Sequence, residues 1–373
     1  MAGIYIHIPF CKQACYYCDF HFSTSLKYKD ELLQAILKEI KLQKSYLDNE
    51  TVETIYFGGG TPSLLNEDEI NLIIGNITDL HTVSANAEIT LEANPDDLDK
   101  AKLESLKKTA VNRLSIGIQS FFDDDLTWMN RVHRSDTAEA SVKRAQDTGF
   151  ENITVDLIYG YPLLSDQKWK HNLKKVFELD VPHVSSYSMT VEPRTALASF
   201  IKNKKQAGMD DQQSSEQFIV LMDEMQSHGF EHYEISNFSK PGHYSRHNSN
   251  YWKGVKYLGI GPSAHSYNGE TRQWNIANNA KYIQALDANK IPVETELLTE
   301  TNRLNEYIMT SLRTMWGLDL NKLNLIAAGA AVPLLKEAEQ FFDKGWIIQK
   351  EDTIYLTQTG KLYADHIASE LFF

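Results

Sequence analysis

Cysteine is scarce in this chain: 373 residues contain three, and all lie between Cys11 and Cys18. An odd number of thiols at such short spacing excludes a disulfide framework. No apolar run approaches the length of a membrane span, so no integral membrane segment is expected. The start, MAGIYIHIPF, lacks a charged segment leading into an apolar stretch and a cleavage site, so no secretory signal is read there. Reduced thiols with neither signal nor span point to the cytoplasm. Positive charge is also in deficit. A net charge of −13 disfavours nucleic-acid binding, which needs a basic face. Low-complexity tracts and short-period repeats are absent, which excludes a solenoid. A hydrophobic content of 42% is enough for a sizeable core, and the length suits two or three domains or one large α/β domain with an appendage.

What is present is concentrated. Cys11, Cys15 and Cys18 in CKQACYYC can surround one centre from a single loop. Thiolates favour zinc, copper(I) or iron–sulfur clusters. Most iron–sulfur clusters take four cysteines, so a four-iron cluster here would keep one iron free of protein ligands. An open coordination position is what lets a metal site bind and activate something. The competing reading is a structural zinc site with His21 as the fourth ligand, because Cys3His is an established zinc set.

The first two-thirds of the chain alternate strand-like and helix-like segments. Ile4–Pro9, Thr54–Phe57, Glu88–Glu92, Arg113–Gln119, Ile153–Tyr159 and His183–Thr190 are rich in Ile, Val, Tyr, Phe and Thr, as strands are. Lys29–Leu47, Glu67–Leu80, Asp99–Lys108, Ser135–Thr148 and Asp166–Leu179 carry apolar residues at helical spacing, several opening on a capping residue. Six βα units predict an α/β fold with a parallel sheet, because parallel neighbours need a crossover of that size. Six instead of eight implies a partial, TIM-like (βα)6 barrel over 1–200. The distinctive residues sit at the strand ends: the cysteine loop, Gly58–Pro62, Glu92, Gln119, and Asp156 with Tyr159–Pro162. Chemistry gathers at strand carboxyl ends in such sheets. An extension at 201–298 includes a turn-rich stretch, Tyr233–Tyr267. A mostly helical module at 299–373, winged-helix-like, carries a hairpin at Trp346–Leu356.

CKQACYYC, preceded by Tyr5–Phe10, resembles the cluster loop of radical S-adenosylmethionine (SAM) proteins. GGGTPS, LEANPDD, RLSIGIQSF, VDLIYGYP and HNSNYW, in that order, narrow the resemblance to the branch holding the oxygen-independent coproporphyrinogen dehydrogenases and the HemW heme chaperones. The resemblance covers nearly the whole chain. It implies a [4Fe-4S] cluster on Cys11, Cys15 and Cys18. It also implies SAM contacts from Tyr5, Gly59, Gly60, Thr61, Glu92, Gln119, Arg131 and Asp156. Gly59 and Gly60 would let backbone approach the ligand closely, and the Asp156 carboxylate suits ribose hydroxyls.

Two departures favour the chaperone side. Phe20 stands where the dehydrogenases carry a further cysteine, and the chain begins almost on its first strand, without their long N-terminal extension. The HNSNYW segment matches the chaperone signature, and the resemblance makes His247 a candidate heme ligand, since neutral imidazole binds heme iron. His265 is a second candidate, for which a structural role is favoured, and His7 is expected to hydrogen-bond near the cluster loop. The expected function is therefore a heme carrier with heme as cargo and an unidentified acceptor protein. The alternatives are a radical enzyme oxidising a porphyrinogen and a non-redox zinc protein.

Overall fold

The computed structural model describes residues 1–373. Fifteen strands form two sheets. The main sheet uses β1 (Ala2–Ile8), β2 (Val52–Gly59), β3 (Val83–Ala93), β4 (Arg113–Gln119), β5 (Ile153–Tyr159) and β6 (His183–Ser188). It continues with β7 (Glu231–Glu234), β8 (Asn237–Ser239), β9 (Lys256–Ile260), β10 (His265–Tyr267), β11 (Thr271–Asn275) and β12 (Val293–Leu297). Their order is β12-β11-β10-β9-β1-β2-β3-β4-β5-β6-β8-β7.

From β9 to β6 every pairing is parallel, and antiparallel strands flank both sides. The sheet ends on β12 and β7 without closing, so this is a partial barrel. The parallel run has one strand more than the six expected. Lys256–Ile260 lies inside the stretch expected to be turn-rich, and it docks on the free edge of β1. Its composition, KYLGI, is too short for a reliable alternation. HNSNYW is likewise not a turn: Arg246–Trp252 is a helix, with Ser245 as its cap accepting from the Asn248 N–H.

Alternation along the parallel strands builds the barrel wall. Ile4, Ile6, Ile8, Ile55, Phe57, Leu91, Leu114, Ile116, Val155 and Val184 are buried in the main apolar core. The residues between them are polar: Tyr5 and His7, Thr54 and Tyr56, Glu88, Thr90 and Glu92, Arg113 and Ser115, Thr154 and Asp156, His183 and Ser185. With a side-chain period of two, these occupy the opposite face and fill the barrel interior.

A separate apolar cluster, with Leu304, Leu312, Leu334, Phe341 and Ile367, forms the core of the helical C-terminal part. Its sheet has three strands, β13 (Leu318–Asp319), β14 (Ile347–Lys350) and β15 (Thr353–Leu356), ordered β13-β15-β14. The expected hairpin is β14–β15; the two-residue β13 is too short to read from sequence. Gln358 donates to Asp223 and Lys361 pairs with His232, tying this part to the barrel side.

Candidate functional site

At the carboxyl ends of the parallel strands lies a cavity of about 450 Å³. Its walls include Cys11, Cys15 and Cys18, together with Gly59, Gly60, Thr61, Glu92, Gln119, Arg131 and Asp156. Segments far apart in the chain therefore converge on one space.

The cysteine loop follows β1 and is pinned from outside. Gln13 donates to Asn130 Oδ1 (2.8 Å) and Asn130 Nδ2 to the Ala14 carbonyl (2.7 Å). The Tyr16 N–H reaches the Met129 carbonyl at 3.1 Å. All three cysteines are free and partly exposed. Burial pushes the Cys18 thiol up to about 12, opposed by a backbone hydrogen bond at Phe20 and reinforced by Cys15, Cys11 and Asp19. Burial also raises Cys11. Cys11 and Cys18, whose thiols resist ionising, form with Cys15 a donor set that a cationic centre would convert to thiolates.

A lone zinc ion fits this arrangement poorly. His21 gives its Nε2 to Asn279 Oδ1 at 2.7 Å.

Arg131 stands beside the loop. Its guanidinium donates to Cys15 Sγ at 3.4 Å, to Asn94 Oδ1 at 2.8 Å and to the Gly117 carbonyl at 2.8 Å. Burial works against its charge, but Tyr17 and Cys15 outweigh that and raise its pKa. Its Nε is buried with no partner, an orphaned donor that an anionic group could satisfy. Gln119 is held at φ 69°, where β4 slips register against β5 between Gly117 and Gln119. A bulge with a left-handed residue re-aims a side chain, here into the cavity.

Two carboxyls complete the floor. Glu92 accepts from the Tyr56 hydroxyl (2.8 Å) and the Gly59 N–H (3.2 Å). Burial, and then Asp156, push it up to about 7, against those two hydrogen bonds. Asp156 accepts from Ser115 at 3.3 Å and is pushed up to about 6 by burial, opposed by Ser185, Arg113 and Ser115. The site is thus a cavity with two buried carboxyls whose charge a cationic or hydroxyl-bearing ligand would relieve.

Comparison with known proteins matches the chain to the radical SAM superfamily over residues 5–176. It is 35% identical over 374 aligned residues to the heme chaperone HemW of Bacillus subtilis (strain 168), covering 98% of both chains. It is 33% identical to the heme chaperone HemW of Mycobacterium tuberculosis (strain ATCC 25618 / H37Rv), covering 99% of this chain and 94% of that one. The chain belongs to the HemW branch of the radical SAM superfamily. Radical SAM membership implies a [4Fe-4S] cluster and SAM, and the donor set above fits both. The solved structure of coproporphyrinogen III oxidase (HemN) from Escherichia coli, a radical SAM enzyme, superposes with a TM-score of 0.86 at 24% identity. That match covers 100% of this chain and 90% of the other, and shows a shared fold.

Within this HemW-type barrel, Tyr5, the two glycines and His247 have surroundings that the sequence does not show. Tyr5 does not line the cavity; its ring stacks at 6.1 Å on Tyr56, which does. Gly59 and Gly60 line the cavity, and a side chain on either would also meet a further contact. A Cβ on Gly59 would lie 2.7 Å from the His7 ring, and one on Gly60 would lie 2.7 Å from the Phe10 carbonyl and 3.0 Å from Cys11 Sγ. Their bare faces meet β1 and the cysteine loop. Gly60→Val is therefore expected to lower iron and sulfide loading before it touches SAM affinity. Full loading with weakened SAM binding, measured by calorimetry, would return the glycine to a ligand contact.

His247, the heme candidate, is 2% exposed and has no free ring nitrogen. Nδ1 pairs with Thr54 Oγ1 (2.8 Å) and Nε2 with the Tyr251 hydroxyl (2.9 Å). Its ring stacks on Tyr56 at 5.0 Å. The Glu88 carboxylate accepts from the Arg246 and His247 N–H groups, both at 3.0 Å, at the start of the helix. In this structure His247 packs the helix onto the barrel floor. His247→Ala should cost about 2–4 kcal/mol, from two stranded partners and a cavity. Chemical denaturation measures it, and a variant as stable as the parent would defeat the packing role.

Sequence reasoning missed Tyr56, Asn94, Ser115, Ser185 and Asn248, which also line the cavity or hold its carboxyls. For Tyr56, Ser115 and Ser185 the signal was the polar residue at every second position of otherwise apolar strands, whereas Asn94 follows the end of β3 and Asn248 sits on the helix Arg246–Trp252.

Proposed function

We propose that this chain is a heme chaperone that binds heme and hands it to an acceptor protein. Cys11, Cys15 and Cys18 hold a [4Fe-4S] cluster and the adjoining cavity takes SAM. The observation that carries this reading is 35% identity, over 98% of both chains, to a protein named a heme chaperone. The cluster, when bound, supplies an open iron position and a redox couple. Arg131 offsets thiolate charge at Cys15 and leaves its Nε for an anionic group of SAM. Glu92 fixes the Gly59 backbone and stands ready to ionise against positive charge. Ser115 and Ser185 orient Asp156 toward hydroxyls. No helix is long and apolar enough to cross a membrane, and we place the protein in the cytoplasm on its reduced thiols.

The test is anaerobic reconstitution, a hemin titration followed in the Soret band, and then mixing with a heme-free cytochrome. Saturable binding and transfer support the carrier. Absence of heme binding, with turnover of coproporphyrinogen III, would replace it with the dehydrogenase reading.

A further inference from the structure

The carrier reading needs an accessible axial ligand, and His247 does not provide one. Four histidines are exposed and have neither ring nitrogen in a hydrogen bond: His171, His243, His265 and His366. His171 lies on the outer helix Asp166–Glu178, against Phe122. His243 follows β8 near the amino end of β6, where Lys240 bonds the Pro182 carbonyl. His366 belongs to the C-terminal part. His265 alone sits at the carboxyl ends of the parallel strands.

Two glycines place it there. After β9 the chain doubles back into β10 so tightly that a Cβ on Gly259 would lie 2.1 Å from the His265 carbonyl oxygen. Gly261, at φ +104°, leaves no room either, its Cβ position being 2.5 Å from the His7 carbonyl. Both crossings lock His265 beside the end of β1, the strand that runs into the cysteine loop. His7 stacks at 6.2 Å on His21, and His21 lies between Phe20 and Phe22, which both line the cavity. Phe20 is 67% exposed. Across the β10–β11 pair, the Trp274 ring stacks on His265 at 6.1 Å. A free imidazole braced by an indole, with the exposed Phe20 ring and the half-buried Phe22 ring toward the cluster side, offers the ligand and the apolar faces a flat metallated macrocycle requires. Burial and the Arg272 charge lower the His265 pKa, which keeps the ring neutral and able to coordinate at pH 7.

We propose that heme iron is ligated by His265, with the macrocycle lodged between His265–Trp274 and the Phe20–Phe22 rim of the cluster cavity. The site rests on the carrier reading and specifies where the cargo sits, next to the cluster and not at the HNSNYW helix.

The test uses the full-length, cluster-loaded protein and hemin. His265→Ala should weaken hemin binding by about tenfold or more and shift the Soret band. Imidazole added to His265→Gly should restore the band. Phe20→Ser should weaken binding without changing the axial-ligand spectrum. Because His265 is exposed, its variants should melt as the parent does and load the same iron and sulfide. Hemin binding and spectrum unchanged in His265→Ala would overturn the site while leaving the carrier reading intact. No hemin binding by the parent protein would overturn the carrier reading, and the site with it.

Discussion

Alanine at any one of Cys11, Cys15 or Cys18 is expected to abolish iron and acid-labile sulfide loading and leave the barrel folded. Two thiolates leave two irons of a four-iron cluster without protein ligands, and three is already below the usual four. Folding should survive because the loop does not depend on its thiols for its path. Gln13, Ala14 and Tyr16 fix it through Asn130 and Met129, and none of the cysteines belongs to the apolar core. A free Cys18 thiol that burial pushes up to about 12, with its two neighbours, contributes little to the empty protein. Their removal should change unfolding free energy by no more than about 1 kcal/mol. Iron and sulfide analysis beside a thermal melt separates the outcomes. A variant retaining full iron and sulfide would remove that cysteine from the ligand set. A variant that loads nothing because it is unfolded would show the loop to be part of the core.

The legible and illegible parts of this molecule differ in physical kind. The cysteine loop, Gly58–Pro62, Glu92, Gln119 and Asp156 could be read because each is an unusual residue at the end of an apolar run, where the main chain itself sets position. Their convergence on one cavity needed only the βα order. The fate of His247 could not be read. Whether an imidazole ligates or packs depends on what meets its two nitrogens, and Thr54 and Tyr251 arrive from another strand and from the following helical turn. β9 was missed for a related reason. A five-residue strand docking on β1 from nearly two hundred residues beyond β2's end owes its strand state to the free edge it meets, not to local propensity. The direction faced by Gly59 and Gly60 was likewise a tertiary fact, since absence of a side chain does not say which neighbour required it.

Glu92 should make SAM binding and protein stability respond to pH in opposite directions. Its folded-state pKa, about 7, lies above the 4.5 of an exposed glutamate, because burial and Asp156 penalise the charge. Between those values the folded protein holds a proton that the unfolded chain has lost. Stability from this group is fully present below about pH 4.5 and is lost as pH rises through about 7. Asp156 adds to the trend between its ordinary 3.8 and about 6. Denaturation of the empty protein should therefore show Glu92→Gln gaining on the parent as pH goes from 5 to 8, by about 3 kcal/mol at most. SAM carries a sulfonium charge and should bind the ionised form. Its affinity for the parent should fall by nearly tenfold per unit below about pH 7 and level off above it, while Glu92→Gln binds weakly and with a flatter profile. Calorimetry in buffers of different ionisation enthalpy should register proton release on binding near pH 6.5. A parent whose affinity is independent of pH between 5 and 8, or a Glu92→Gln variant that loses stability relative to it at pH 8, would mean that Glu92 is not held near 7 by burial and is ionised in the folded protein across this range. A carboxyl that destabilises the empty protein and is relieved by a cationic ligand is a functional group, retained at a cost in stability that a purely structural glutamate would not impose.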